Sequence, residues 1–179
     1  QLHRRQRQMC IRDRPSSVQL KIPGKKFGVP VAMTVKDIGE VIKRFIFVAK
    51  VARESGFTGI QIHSAHGYLL SEFLSPDINK RTDEWGGSLE NRTRIHVEII
   101  KGIRKALGND FPISLKLNSA DFQKGGFSPA DALESARIME SAGIDLLEIS
   151  GGTYEQPRLL GLDNLSINPE RSENRKSSS

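Results

Sequence analysis

Residues 128–152, SPADALESARIMESAGIDLLEISGG, hold a complete helix-to-strand transition. Ser128, Pro129 and Asp131 together mark a helix start: an N-cap hydroxyl, a proline where no N–H is needed, and a capping-box acid. The helix is expected to bury Ala132, Leu133, Ala136 and Met139 and to stop at Gly143. It feeds a strand over Asp145–Ile149, and Gly151 and Gly152 follow.

The same unit recurs upstream. Thr34 caps a helix whose apolar residues Ile38, Val41, Ile42, Phe45, Val48, Ala49 and Ala52 keep the three-and-four rhythm of an amphipathic face. Gly56 ends it, and a β-branched run from Thr58 to His63 reads as a strand. A second helix follows Ser88, burying Ile95, Ile99, Ile100, Ile103 and Leu107 and ending at Gly108; Pro112 then opens a strand over Ile113–Leu117. Alternating helices and strands predict a parallel α/β sheet. No G-x-G-x-x-G follows any strand, which weakens the dinucleotide-binding open sheet. Polar residues instead gather just after each strand: His63 and His66, then Asn118 and Asp121, then Ser150 to Thr153. That is where (β/α)8 barrels assemble active sites. Such a barrel takes about 250 residues. The expected fold is therefore a partial (β/α)8 TIM barrel of about three central βα units.

Bulk properties narrow the functional classes. The 179 residues are 37% hydrophobic and 27% charged, as in a globular protein. No apolar run approaches the roughly 20 residues that span a bilayer, so no membrane association is expected. The net charge of +6 sits in the ends: residues 1–14 carry five arginines and one acid, whereas residues 15–168 carry 19 basic and 18 acidic groups. A nucleic-acid surface needs a basic face on the fold itself, and none is expected here. The single Cys10 makes no disulfide framework and no metal-ligand spacing, so the reducing cytoplasm is the simplest compartment. Residues 1–14 read as a non-native or disordered basic extension, with an Arg-rich targeting peptide as the alternative. Residues 15–165 read as barrel, and 166–179 as a disordered or truncated tail.

HSAHGYLLSEFLSP, from His63 to Pro76, carries the candidate chemistry. His63 ends a strand and His66 lies in the turn after it, with Tyr68 close behind. Two imidazoles and a phenol are donors suited to holding a carbonyl oxygen and delivering a proton. A His pair at this spacing also suits a metal, but no third ligand or HExxH pattern supports it, and no metal is expected. On spacing alone Tyr68 reads more readily as a packed residue than as an acid. Arg81, Asp83, Glu90 and Arg92, in NKRTDEWGGSLENR, read as charges that tie down a long loop rather than as ligand contacts.

The run IQIHSAHGYLLSEFLSPDINKRTDEWGGSLENRTR, residues 60–94, resembles the most recognisable segment of the old yellow enzyme family. KLNSADFQKGGFS (116–128) and LLEISGGTYEQP (146–157) resemble later segments in the same order, most closely in the NADH:flavin oxidoreductase branch. The resemblance covers roughly residues 15–165, with Trp85 standing where the family usually shows tyrosine. It implies a barrel binding FMN, reduced by NADH or NADPH, that passes hydride from flavin N5 to the β-carbon of an activated alkene. His63 and His66 match the pair that binds the substrate carbonyl, Tyr68 matches the proton donor, and Lys116 matches the basic residue beside flavin N1 and O2. Without the resemblance, Lys116 would read as a strand lysine paired with a neighbour.

The family's flavin-phosphate loops follow its last two strands, which are not in this sequence. The chain alone is therefore expected to bind FMN weakly or not at all. The functional expectation is part of an ene-reductase for α,β-unsaturated carbonyl compounds, with a small activated alkene as partner. The alternative is a non-catalytic half-barrel that assembles with itself, as a homo-oligomer, or with another protein.

Overall fold

A computed structural model describes residues 13–19 and 28–153. Residues 1–12 and 154–179, including Cys10 and most of both expected tails, lie outside the described residues. Asp13 and Arg14, assigned above to the extension, instead form β1 (Asp13–Arg14), which pairs in parallel with β2 (Val31–Ala32). Arg14 has a partner there: its guanidinium meets Glu72 at 2.8 Å, both side chains being buried.

The main sheet has three parallel strands in sequence order, β3 (Ile60–Ser64), β4 (Ile113–Asn118) and β5 (Leu146–Ser150). Helices alternate with them: α1 (Val35–Glu54), α2 (Leu69–Leu74), α3 (Leu89–Leu107) and α4 (Pro129–Ala142). This is the expected α/β pattern. β3 starts two residues later than the composition suggests, because its first ladder bond runs from the Ile60 N–H to the Pro112 carbonyl at 3.0 Å.

Local chemistry explains the helix ends. Thr34 and Asp37 form a reciprocal capping box at the start of α1. At α4 the Ser128 hydroxyl accepts from the Asp131 N–H at 3.1 Å, but the Asp131 carboxylate turns to Arg92, 3.4 Å away, instead of closing a box. Gly143 ends α4 in the left-handed conformation at φ 112°, which a side chain rarely adopts.

α1 packs on α3, and α3 on α4. Ile62, Ile95, Ile99, Ile100, Ile103, Ile113, Leu115 and Leu117 are fully buried between helices and sheet. Two residues expected in this core are not there. Val48 is 62% exposed, because α1 presents Ile42, Phe45, Ile46 and Ala49 inward and turns position 48 outward. Leu133 is 58% exposed, because the buried stripe of α4 runs through Ala132, Ser135, Met139 and Ala142.

The loop between α2 and α3 behaves as expected for paired charges. Arg81 grips Asp83 through Nε at 2.9 Å and Nη2 at 2.5 Å, and reaches the Pro15 and Met33 carbonyls. Arg92 donates to the Leu74 and Gly87 carbonyls. Both are structural ties, and Arg81 joins the N-terminal segment to this loop.

Candidate active site

In parallel strands one residue of every two faces the same side of the sheet. One face of this sheet buries Ile62, Ile113, Leu115 and Leu117 in the same core as residues of α1, α3 and α4. The opposite face carries Gln61 and His63 from β3, Ser114, Lys116 and Asn118 from β4, and Glu148 and Ser150 from β5. Pairing sets His63 beside Lys116 and Lys116 beside Glu148, so three ionisable residues stand in one transverse row.

His66 and Tyr68 come to the same end from the turn after β3. The His63 ring lies 5.4 Å from that of His66 and 5.0 Å from that of Tyr68, centroid to centroid. Tyr68 is the N-cap residue of α2, with extended backbone and no side-chain cap hydrogen bond. The four residues singled out from the sequence therefore converge at the C-terminal ends of β3 and β4.

His66 is held in an unusual conformation, with φ at 64°. For a non-glycine residue the left-handed region costs free energy and needs surrounding contacts to hold it. Those contacts are present. The His66 N–H donates to Asn118 Oδ1 at 3.2 Å, and ring Nε2 lies 2.6 Å from Ser150 Oγ. Asn118 is itself buried, and its amide donates to the Gly152 carbonyl at 3.0 Å and to Asp121 at 3.3 Å. Asp121 accepts from the Phe127 N–H at 3.0 Å, closing the loop after β4. Burial pushes the Asp121 carboxyl up, against the hydrogen bonds that favour its charge. Asn118, Asp121 and Ser150 were visible in the sequence as rim residues, but their task of clamping His66 was not.

Partial desolvation holds the His63 imidazole below its usual range, helped by His66 and Lys116, while Glu148 acts the other way. At neutral pH His63 is thus an uncharged ring with one N–H donor. Lys116 Nζ pairs with Glu148 Oε1 at 2.8 Å, and Gln61 Nε2 donates to Glu148 Oε2 at 2.7 Å. The simpler sequence reading of Lys116, a strand lysine with a neighbouring partner, is therefore a fact of the structure. Gln61 and Glu148 were missed; the only signal was their two-residue spacing from His63 and Ser150. Among the described residues no group of three or more His, Cys, Asp or Glu side chains is placed to hold a metal. No helix among them is long and apolar enough to cross a membrane.

A flavin needs a cationic donor beside its electron-rich pyrimidine edge and a clear face for the substrate. Lys116, side by side with the His63–His66–Tyr68 group, fits the first need. The donor set is consistent with FMN.

Known proteins point the same way. The chain is 40% identical over 147 residues to an NADH oxidase of Thermoanaerobacter brockii, a match covering 82% of this chain and 22% of that relative. A 2-naphthoyl-CoA reductase, solved with 2-naphthoyl-CoA, superposes with a TM-score of 0.76 at 40% identity, over 82% of this chain and 22% of that one. An old yellow enzyme homologue from Zymomonas mobilis superposes with a TM-score of 0.68 at 26% identity, over 81% of this chain and 45% of its own. The chain thus spans less than half the length of each of these proteins. Residues 3–175 match the profile of the NADH:flavin oxidoreductase / NADH oxidase family, and the chain belongs to that family.

Proposed function

We propose that these residues are the central part of an FMN-dependent NAD(P)H oxidoreductase that reduces the C=C bond of α,β-unsaturated carbonyl compounds. The observation that carries the reading is the convergence of His63, His66 and Tyr68 beside Lys116 at the carboxyl ends of parallel strands. In barrels this rim is where substrate and cofactor meet.

His63 and His66 bind the substrate's carbonyl oxygen. With Nε2 of His66 engaged by Ser150, Nδ1 is the nitrogen that faces the ligand. Two imidazole donors aimed at that oxygen favour the negative charge that builds there, an oxyanion-type effect. Tyr68 delivers its hydroxyl proton to the α-carbon. Lys116 would hold the pyrimidine edge of a bound flavin, where a fixed cation tunes the cofactor. FMN, when bound, supplies the hydride that NADH or NADPH provides.

Leu146 and Ile149 of β5 are 62% and 58% exposed. In the proposed protein, strands and helices outside this sequence cover them. The same exposure would serve a non-catalytic half-barrel assembling with a partner, but the family membership does not favour that alternative.

FMN titration of the protein completed by its flanking strands tests the reading. Saturable binding is expected, with the flavin band bleached by NADH or NADPH and restored by a cyclic enone. No FMN binding by the completed protein would overturn it.

A further inference from the structure

Glu148 is the ion-pair partner of Lys116. It stands on β5, directly beside Lys116 in the strand register, on the sheet face that carries His63. Both of its carboxylate oxygens are used: Oε1 by Lys116 Nζ at 2.8 Å and Oε2 by Gln61 Nε2 at 2.7 Å. Gln61 reaches it from β3, across the middle strand. The carboxylate is therefore held from two sides by side chains of two other strands, and the ammonium is held with it.

That arrangement has two physical consequences. An ammonium carries three N–H donors; one directed at Glu148 fixes how the other two point. A carboxylate at contact distance also cancels much of the field that the ammonium projects, so a group set against Lys116 meets an ion pair and not a bare cation. Coulomb coupling at such distances is sizeable even where water screens it. It reaches His63, whose proton affinity is lowered by Lys116 and raised by Glu148.

Resting on the flavin reading above, we infer that Glu148 is a positioning residue for Lys116 that lowers the flavin's reduction potential. It aims the ammonium at the pyrimidine edge and limits the positive charge available to stabilise extra electron density there. Gln61 keeps the carboxylate in place for this task. Glu148 touches neither substrate nor reacting atoms in this assignment.

Reductive titration of the flavin-loaded protein against a reference dye, compared between wild type and Glu148→Gln, tests this. The amide keeps the shape and a contact to Lys116 but removes the negative charge. The variant is expected to hold reduced over oxidised flavin at least tenfold better than wild type, a rise of about 30 mV for a two-electron couple. Glu148→Asp, which restores the charge, should return the potential toward wild type; if the glutamine variant fails to fold, Glu148→Ala, which also removes the charge, takes its place with the same expected rise. An unchanged or lower potential in Glu148→Gln with flavin bound would sink the role of Glu148 alone. A wild-type protein completed by its flanking strands that takes up no FMN would overturn the flavin reading and this inference with it.

Discussion

The imidazole of His66 is fastened to Ser150 across 84 residues of sequence, with 2.6 Å between Nε2 and Oγ. The contact joins the turn after β3 to the end of β5 and engages one of the two ring nitrogens. It also helps hold a backbone conformation that His66 would not keep alone.

Ser150→Ala should therefore loosen His66 without removing it. A hydrogen bond of this kind contributes about 1 kcal/mol, so kcat/KM for an enone should fall by roughly five- to tenfold. Stopped-flow measurement of flavin reoxidation separates the halves of the cycle. The loss should appear with the enone and not with NAD(P)H.

Removing the phenol oxygen is a sharper test. Tyr68→Phe keeps the ring that packs against His63, 5.0 Å away, and takes away the proton. Flavin reoxidation by an enone should slow by about 10²-fold or more. Binding of a non-reacting phenol to the His63–His66 pair should change little. An equal loss in both would make Tyr68 a packing residue.

His96 links pH to stability. It is fully buried on α3, with Nε2 2.7 Å from Ser64 Oγ, and burial pushes its pKa down to about 3. The unfolded histidine titrates near the ordinary imidazole value of 6.5, so between these limits the unfolded chain binds the extra proton. Stability should be complete above about pH 6.5 and fall as the pH drops toward 3, by about 2 kcal/mol at pH 5. A Ser64→Ala/His96→Leu pair removes both polar partners together. Its melting temperature should lose this slope between pH 7 and 5; a slope equal to wild type would mean that other groups carry it.

Gly86→Ala probes the loop that Arg81 ties down. A Cβ built at Gly86 lies 2.5 Å from both the Arg81 carbonyl oxygen and its Cβ. Backbone must shift to admit it, at about 1–3 kcal/mol. Thermal unfolding should show the loss, whereas Gly28→Ala, with none of the described residues within 4 Å of its Cβ, should leave the melting temperature nearly unchanged.

The helices and parallel strands were legible because their signals are local. Ser128–Pro129 and the glycines at 108 and 143 mark helix ends through backbone chemistry that needs no distant partner. The gathering of His63, His66 and Tyr68 was legible for a similar reason: all lie within six residues of a strand end. Helix faces were read less well, as Val48 and Leu133 show. A few tens of degrees of rotation, set by what packs opposite, move such a residue from core to solvent.

What the sequence determined by itself was therefore the order of the three long helices and the three main strands, their parallel class and a short run of donors. Tertiary structure alone decided the pairing of Lys116 with Glu148, the anchoring of His66 by Asn118 and Ser150, and the burial of His96 against Ser64. Each of these joins residues at least 32 positions apart. Strand register and helix packing bring such partners together, and no local propensity encodes them.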